Sequence, residues 1–406
     1  MGVIGKERTT MTIAERVVTG DAPAVARAVA ERLAAGVIER DAAGSAPVEE
    51  VALLRESGLL GLLVPAELGG GGRPWSEGLE AVRVLARIDA SAAMLLGYHY
   101  LHLWRLSLQD NAEVWRRAAR GAVEQGWFFG GASNPRDPGL TLTREEGGYR
   151  VHGRKGFATG AQVADRIVVS GATAEGRKVM VIVDGRAPGV RHNDDWNAIG
   201  VRRSASGSVE FAGVFVPDEW VVGEVPPNEA AAPPYQSLLV PAFQIVFVHL
   251  YAGIARGALE AAAEYTRTKT RPWTGSGVES AVEDPYILQT YGELASRTAA
   301  AEALAERARA AFDAAVAAGR ALTAKQRGET AVAIATAKVV AQQAVLDVTA
   351  RVYDVTGARA TSRATGLDRF WRDARTHTLH DPIAYKLREL GDHLLTGALP
   401  TPGPYS

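Results

Sequence analysis

The sequence contains no cysteine. Disulfide scaffolds, Cys-ligated zinc, iron–sulfur clusters and thiol catalysis are therefore excluded together. Neither charge is in excess: 45 Lys and Arg stand against 46 Asp and Glu, a formal net charge of −1. A nucleic-acid binder would show a basic excess or stripe, and none appears. Nucleotide-binding loops are missing too, with no Walker loop and no G-x-G-x-x-G between a predicted strand and a helix. The run Gly69–Gly72 before Arg73-Pro74 reads as a turn rather than a phosphate cradle. No G-x-S-x-G elbow offers a hydrolase nucleophile. Met1–Thr10 reads MGVIGKERTT, with no apolar segment before a cleavage site, which leads us to expect a cytoplasmic protein. The longest apolar stretch, Ser237–Leu259, is interrupted by Pro241, Gln244, His249 and Arg256. A bilayer span wants about 20 mostly apolar residues, so a buried core helix is expected and no membrane partner.

What is present is ordinary globular material: 406 residues, 47% hydrophobic and 22% charged, long enough for two or three structural units. From about Ala14 to Ala122, apolar residues recur at helical spacing, as in VEEVALLRESGLLGLLV. From Trp127 to about Gly223, the runs YRVHGRKGF, ADRIVVSG, KVMVIVDG and SVEFAGVFVP predict antiparallel strands in a barrel or sandwich. From about Tyr235 the Ala-rich helical pattern returns, over Ala258–Thr268, Pro285–Ala318, Ala321–Val355 and His380–Leu395. The expectation is a mainly α protein with an inserted β-domain. Its parts are an N-terminal helical domain over 1–125, a central β-domain over 126–230 and a C-terminal helical bundle over 231–406.

The eight histidines carry the chemical signal. His99 and His102 form one H-x-x-H pair, and His377 and His380 another. An i,i+3 pair on a helix puts both rings on one face. A metal would need more donors nearby, and only Asp381 offers a local carboxylate, so no metal is expected. His99 and His102 could equally be bonded to backbone or packed beside aromatics. His377 and His380 favour proton handling, because imidazole titrates near neutrality and Asp381-Pro382 breaks the helix beside them.

Several motifs, in order and spacing, resemble the acyl-CoA dehydrogenase fold. Ala132-Ser133-Asn134-Pro135 is similar to that family's flavin-contacting turn. Lys155-Gly156-Phe157-Ala158-Thr159-Gly160 resembles its strand in which an aromatic residue flanks the isoalloxazine and a hydroxyl approaches N5. Val216-Pro217 with Gly223 resembles the close of its β-domain, and Asp368–Arg375 the segment before its catalytic glutamate. Where the family often reads Tyr-Glu-Gly, this chain has His380-Asp381-Pro382. Asp381 is a methylene shorter than Glu and precedes proline, which argues against acyl-CoA dehydrogenation.

Asn193–Gly200, Glu264–Trp273, Asp284–Glu293, Arg375–Pro382 and the tail PTPGPYS resemble dibenzothiophene monooxygenases. These are two-component flavin monooxygenases on the same fold, alongside the indole hydroxylases of xiamycin-type indolosesquiterpenoid biosynthesis. The resemblance implies reduced flavin (FAD or FMN) from a separate NAD(P)H-dependent reductase, O2 as cosubstrate and a C4a-hydroperoxide as oxygen donor. It implies that Thr159 binds flavin near N5, and that Ala132, Ser133 and Phe157 complete the ring site. Arg271, followed by Trp273, falls in the flavin phosphate-binding region. Tyr98 lines the substrate pocket, and His377 and His380 stand near the isoalloxazine, with His380 positioning or protonating the peroxide. A homotetramer, a dimer of dimers with flavin at subunit interfaces, is implied as well.

Two departures bear on substrate. Met94 and Gly131 stand where the dibenzothiophene enzymes carry a histidine and an asparagine. Losing two polar groups, with an adaptable Met in their place, points to an indole-like ring. S-oxygenation of a thiophene is the alternative, followed by acyl-CoA dehydrogenation and a catalytically silent flavin binder.

Overall fold

The computed structural model describes residues 20–406. The leaderless reading of Met1–Thr10 and the first residues of the helical zone lie outside them. Six helices come first: α1 Ala22–Ala34, α2 Val37–Ala43, α3 Val48–Glu56, α4 Trp75–Ala86, α5 Ala90–Ser107 and α6 Ala112–Glu124. Side-chain caps start three of them, with Asp21, Asp89 and Asn111 each accepting from the backbone N–H three residues on.

Eight strands follow: β1 Phe129–Ala132, β2 Leu140–Glu145, β3 Gly148–Lys155, β4 Arg166–Ala172, β5 Lys178–Asp184, β6 Val190–His192, β7 Val209–Pro217 and β8 Val221–Glu224. They form one sheet in the order β6-β7-β3-β2-β4-β5-β8, with β1 also paired to β4. The expected all-antiparallel arrangement needs correction, because β1 and β2 both run parallel to β4. The cause lies in the register. Ala132 pairs with Val169 and Leu140 with Gly171, so the chain leaves the sheet edge over residues 133–139 while β4 advances by only two residues. That excursion places the Ser133-Asn134-Pro135 turn.

Five more helices complete the chain: α7 Leu239–Thr268, α8 Pro285–Ala318, α9 Ala324–Thr356, α10 Leu367–His377 and α11 Ile383–Thr396. α7 lies at the centre, packed on α4, α5, α8, α9 and α10. Its apolar window and that of α9 are long enough to cross a membrane, yet 89% and 61% of them are buried inside the fold. The helix expected from His380 starts at Ile383 instead. Pro382 supplies its N-cap, and the Asp381 side chain is held elsewhere. α10 was not anticipated as a separate helix. Its end at His377 and the start of α11 leave the break that carries His380.

Candidate active site

On the β side, two segments meet because a lysine ties them. The Lys155 ammonium donates to the Asn134 and Asp137 carbonyls at 3.1 and 3.3 Å, and the Gly156 N–H donates to the Asp137 carboxylate at 2.6 Å. The excursion carrying Ala132 and Ser133 is thereby fixed beside Phe157–Thr159. Ala132 is buried and Ser133 exposed. Phe157 has φ +50° and is 70% exposed, an aromatic ring held in strained backbone and presented outward next to Trp196. Every non-glycine with positive φ among the described residues lies in this loop cluster: Phe157, Asp194, Val201 and Ala205. Thr159 is buried, and its hydroxyl lies 2.9 Å from that of Ser206, which is 2.7 Å from Ser204.

Buried charges pin the 200–206 loop. Arg203 makes a bidentate pair with Glu50 of α3 at 2.8 and 2.7 Å, and its N–H donates to Ser91 of α5. The Val201 N–H donates to Asp373 of α10 at 2.6 Å. Burial raises the Asp373 carboxyl to about 7, and Asp41 adds to the rise.

On the helical side, α5 contributes one continuous face. Met94, Tyr98 and His102 follow at i, i+4 and i+8, all buried. Tyr98 stacks on Phe247 of α7, with centroids 6.2 Å apart, and meets Phe243 edge-on. Phe247 is edge-on to His377 at 4.6 Å and to His380 at 4.7 Å. The two imidazoles are stacked at 6.1 Å with an interplanar angle of 18°. They face one another although the helix ends between them, because His380 N–H donates to the His377 carbonyl and continues the turn.

Each ring is held through Nδ1 by a different partner. His377 meets the Tyr251 hydroxyl at 3.0 Å, and its Nε2 is buried without a partner. Burial pushes His377 down to about 3, with His380 and Lys338 adding to the drop, so it is neutral at pH 7. His380 Nδ1 lies 3.1 Å from Asp381 Oδ1, and the ammonium of Lys338 lies 2.5 Å from Oδ2. Lys338, on α9, is 1% exposed and also reaches Gln244. Burial opposes ionisation of Asp381, but the hydrogen bond with His380 and the Lys338 charge outweigh it and hold the carboxyl well below its usual range. Burial draws Lys338 down to about 8, against the attraction of Asp381. At neutral pH the pair is ionised.

The first H-x-x-H pair splits. His99 accepts from the Phe129 N–H at Nδ1, 3.0 Å away, and its Nε2 lies 2.9 Å from the Leu60 carbonyl, so the backbone claims both nitrogens. His102 sits against Gly131. A Cβ there would lie 2.0 Å from the imidazole, so no side chain can stand at 131 while that ring is in place. The departure at Gly131 therefore does not simply remove polarity, because an imidazole takes the space. No group of three or more potential metal ligands occurs among the described residues.

Arg271 and Trp273 do not join this cluster. Both are exposed, Trp273 at 79%, in the segment after α7. Thr268 lies 21 residues beyond Phe247, about 32 Å along the helix, which puts Arg271 and Trp273 at the opposite end of α7 from His377 and His380. Lys338, Tyr251 and Ser206 are the site residues that sequence reading missed. Lys338 stands out in sequence only as an isolated cation in ATAKVVAQQAV, with nothing to show its partner. Two cavities lie elsewhere. One, of about 760 Å³, is polar and borders Gln109 and Gln236; the other, of about 420 Å³, is apolar and borders Trp75 and Trp104.

The chain matches the acyl-CoA dehydrogenase family in three parts: the N-terminal domain over residues 22–118, the middle domain over 130–214 and the C-terminal domain over 245–384. It is 43% identical over 399 residues to a dibenzothiophene monooxygenase of Mycolicibacterium goodii, covering 95% of this chain and 96% of that one. The methanesulfinate monooxygenase MsuC of Pseudomonas fluorescens superposes with a TM-score of 0.90 at 39% identity, covering 95% of this chain and 99% of that one. TdsC of Paenibacillus sp. A11-2, solved with FMN and indole, does so with a TM-score of 0.90 at 41% identity and the same coverage.

Proposed function

From a chain that belongs to the flavin-dependent monooxygenases of the acyl-CoA dehydrogenase fold, we propose an enzyme that takes reduced flavin from a separate NAD(P)H-dependent reductase and uses O2 to hydroxylate an indole-like aromatic ring. The observation that carries this reading is the fate of Asp381. By resemblance it stands at the position of the dehydrogenase base, but it is buried with one oxygen held by Lys338 and the other by His380, and the Lys338 charge makes it a weak base for an α-proton. Stacked imidazoles stand there instead.

The residues present fit a flavin. Phe157 offers an exposed ring on strained backbone, the Ser133 turn is clamped beside it, and Thr159 brings a hydroxyl. Bound reduced flavin supplies the electrons that activate O2, one oxygen atom going to substrate and one to water. FMN is the favoured form, because TdsC was solved with it. Arg271 and Trp273 lie too far along α7 to serve their own chain's ring site, so we assign them to the flavin phosphates of a neighbouring copy in a homotetramer.

The histidines divide the proton work. Burial keeps the Tyr251 phenol protonated, and its hydroxyl lies 3.0 Å from Nδ1 and 3.3 Å from the carbonyl of neutral His377, which holds that ring in place with Nε2 uncommitted. For His380, Asp381 accepts from Nδ1 and orients the ring, which leaves Nε2 uncommitted for proton exchange at the site. A donor aimed at the oxygen left behind after atom transfer stabilises the charge that develops there.

Met94, Tyr98, Phe243 and Phe247 provide flat apolar walls suited to an aromatic ring. S-oxygenation of a dibenzothiophene-type substrate is the second reading, favoured by relatives named for sulfur substrates. Turnover with a generic flavin reductase, NADH, FMN and a panel of indoles and thiophenes under ¹⁸O2 decides between them. Label in a hydroxyindole supports the first reading and label in a sulfoxide the second. Dye reduction by acyl-CoA, without label in any product, would overturn both.

A further inference from the structure

The α5 face that carries Met94, Tyr98 and His102 beside Phe243 and Phe247 continues past His102. Tyr98, His102 and Arg105 lie at i, i+4 and i+7, pointing to one side of the helix over about 10 Å. All three are buried, with 7%, 3% and 7% of their surface exposed. Yet no side-chain hydrogen bond or ion pair joins any of them to another described residue. His102 Nδ1 and Arg105 Nε are both shut away from solvent without a partner. A buried guanidinium ordinarily sits in an ion pair, as Arg203 does with Glu50 in this same chain. Arg105 has only the more distant charge of Glu229 acting on it, and burial draws it down to about 10, still a full cation at neutral pH. Nearby walls are apolar: His102 packs on Phe243 and Tyr98, and Gly131 closes the β side.

A buried cation left without a counter-charge beside apolar walls is the complement of an oxyanion on a mostly apolar ligand. We propose that the substrate is an aromatic heterocycle bearing an anionic oxygen group, a carboxylate in its simplest form, and that Arg105 receives that group while Tyr98 and His102 hydrogen-bond along the ring. The assignment rests on the monooxygenase reading for what happens to the ring, but not for how the ring is bound. His102 takes the room of a side chain at 131 and gives this face of α5 an imidazole beside the guanidinium, which suits a charged substrate better than a bare hydrocarbon.

Calorimetric titration of the full-length protein, with and without saturating FMN, tests this with indole carboxylates substituted at ring positions 2 to 6, each paired with its neutral carboxamide. At least one carboxylate should bind about 10- to 100-fold more tightly than its amide, the range expected for a hydrogen bond to a charged group. Arg105→Gln should abolish that preference and leave amide binding unchanged, while Arg105→Lys retains part of it. Equal binding of acid and amide across the panel would overturn the inference, as would a preference that survives Arg105→Gln. If Arg105→Gln does not fold, Glu229→Gln replaces it. Removing the competing carboxylate should tighten carboxylate binding, and unchanged or weaker binding counts against Arg105 as the receptor. Oxygen incorporation is read separately. A carboxylate preference without labelled product leaves the Arg105 assignment standing and removes the monooxygenase reading; labelled product from neutral rings alone, with no preference, does the reverse.

Discussion

The chain carries the same H-x-x-H spacing twice, in α5 and at the end of α10, and uses it in opposite ways. His99 is consumed by its surroundings: the Leu60 carbonyl and the Phe129 N–H occupy both nitrogens, and Phe128 stacks on the ring at 5.4 Å. His377 and His380 are each held at Nδ1 only, by Tyr251 and by Asp381, which leaves one nitrogen per ring uncommitted. Spacing sets which way two rings point. The supply of partners decides whether they hold the fold together or handle protons.

The comparison is broken most strongly by His380→Ala. Product formation should fall by about 10²–10⁴-fold, as expected for loss of a general acid–base group. Hydrogen peroxide per NADH should rise, with the melting temperature close to wild type, since the ring is 37% exposed and at the edge of the core. Lys338→Met probes the support behind it. Leaving Asp381 buried without its ammonium partner should cost about 3–5 kcal/mol in denaturant unfolding. Adding Asp381→Asn should recover most of that stability but not the coupling of NADH to product, because His380 has then lost its anionic partner. Intact coupling in the double variant would remove the relay from the account.

His99→Leu tests the other half of the comparison. It deprives the Phe129 N–H of its acceptor and should cost about 1–3 kcal/mol of stability, with the ratio of product to peroxide unchanged. The neutral histidines also set an acid limit. Burial holds His99 at about 4 and His377 at about 3 in the folded protein, below the ordinary value of 6.5. As pH falls through 6.5, the unfolded chain takes up protons that the folded chain refuses. Stability should therefore decline by about 1.4 kcal/mol per pH unit for each such histidine, down to its folded value. Melting curves between pH 7 and 5 measure that slope, and His99→Leu should reduce it by one histidine's share. The smallest change is Gly131→Ala, which should be tolerated only together with His102→Ala, because the added methyl and the imidazole compete for the same space. A stable single variant would mean that the His102 ring moves freely.

Much of this arrangement was readable before the coordinates. The strands β3, β4, β5 and β7 announce themselves through runs such as RIVVSG and KVMVIV, and the buried α7 through its broken apolar run. β1 does not, because FGGA has little strand propensity and is recruited by pairing with β4. Asp381 beside His380 was visible as a neighbour in sequence. Lys338 was not visible as its counter-ion, since 43 residues separate the pair and an Ala-rich helix hides a lone lysine among good helix formers. Arg105 is the same case in α5, a cation inside LHLWRLSLQ whose lack of a partner emerges only when the helices are packed.

The central claim is that His99 is structural and His380 catalytic. The most direct test is the ratio of oxygenated product to hydrogen peroxide, measured side by side for His99→Leu and His380→Ala under the same reductase, NADH and O2 supply. The account predicts a wild-type ratio for His99→Leu despite its lower melting temperature, and a collapsed ratio for His380→Ala at nearly wild-type melting temperature. A wild-type ratio in folded His380→Ala, or equal loss of coupling in both variants, would contradict it.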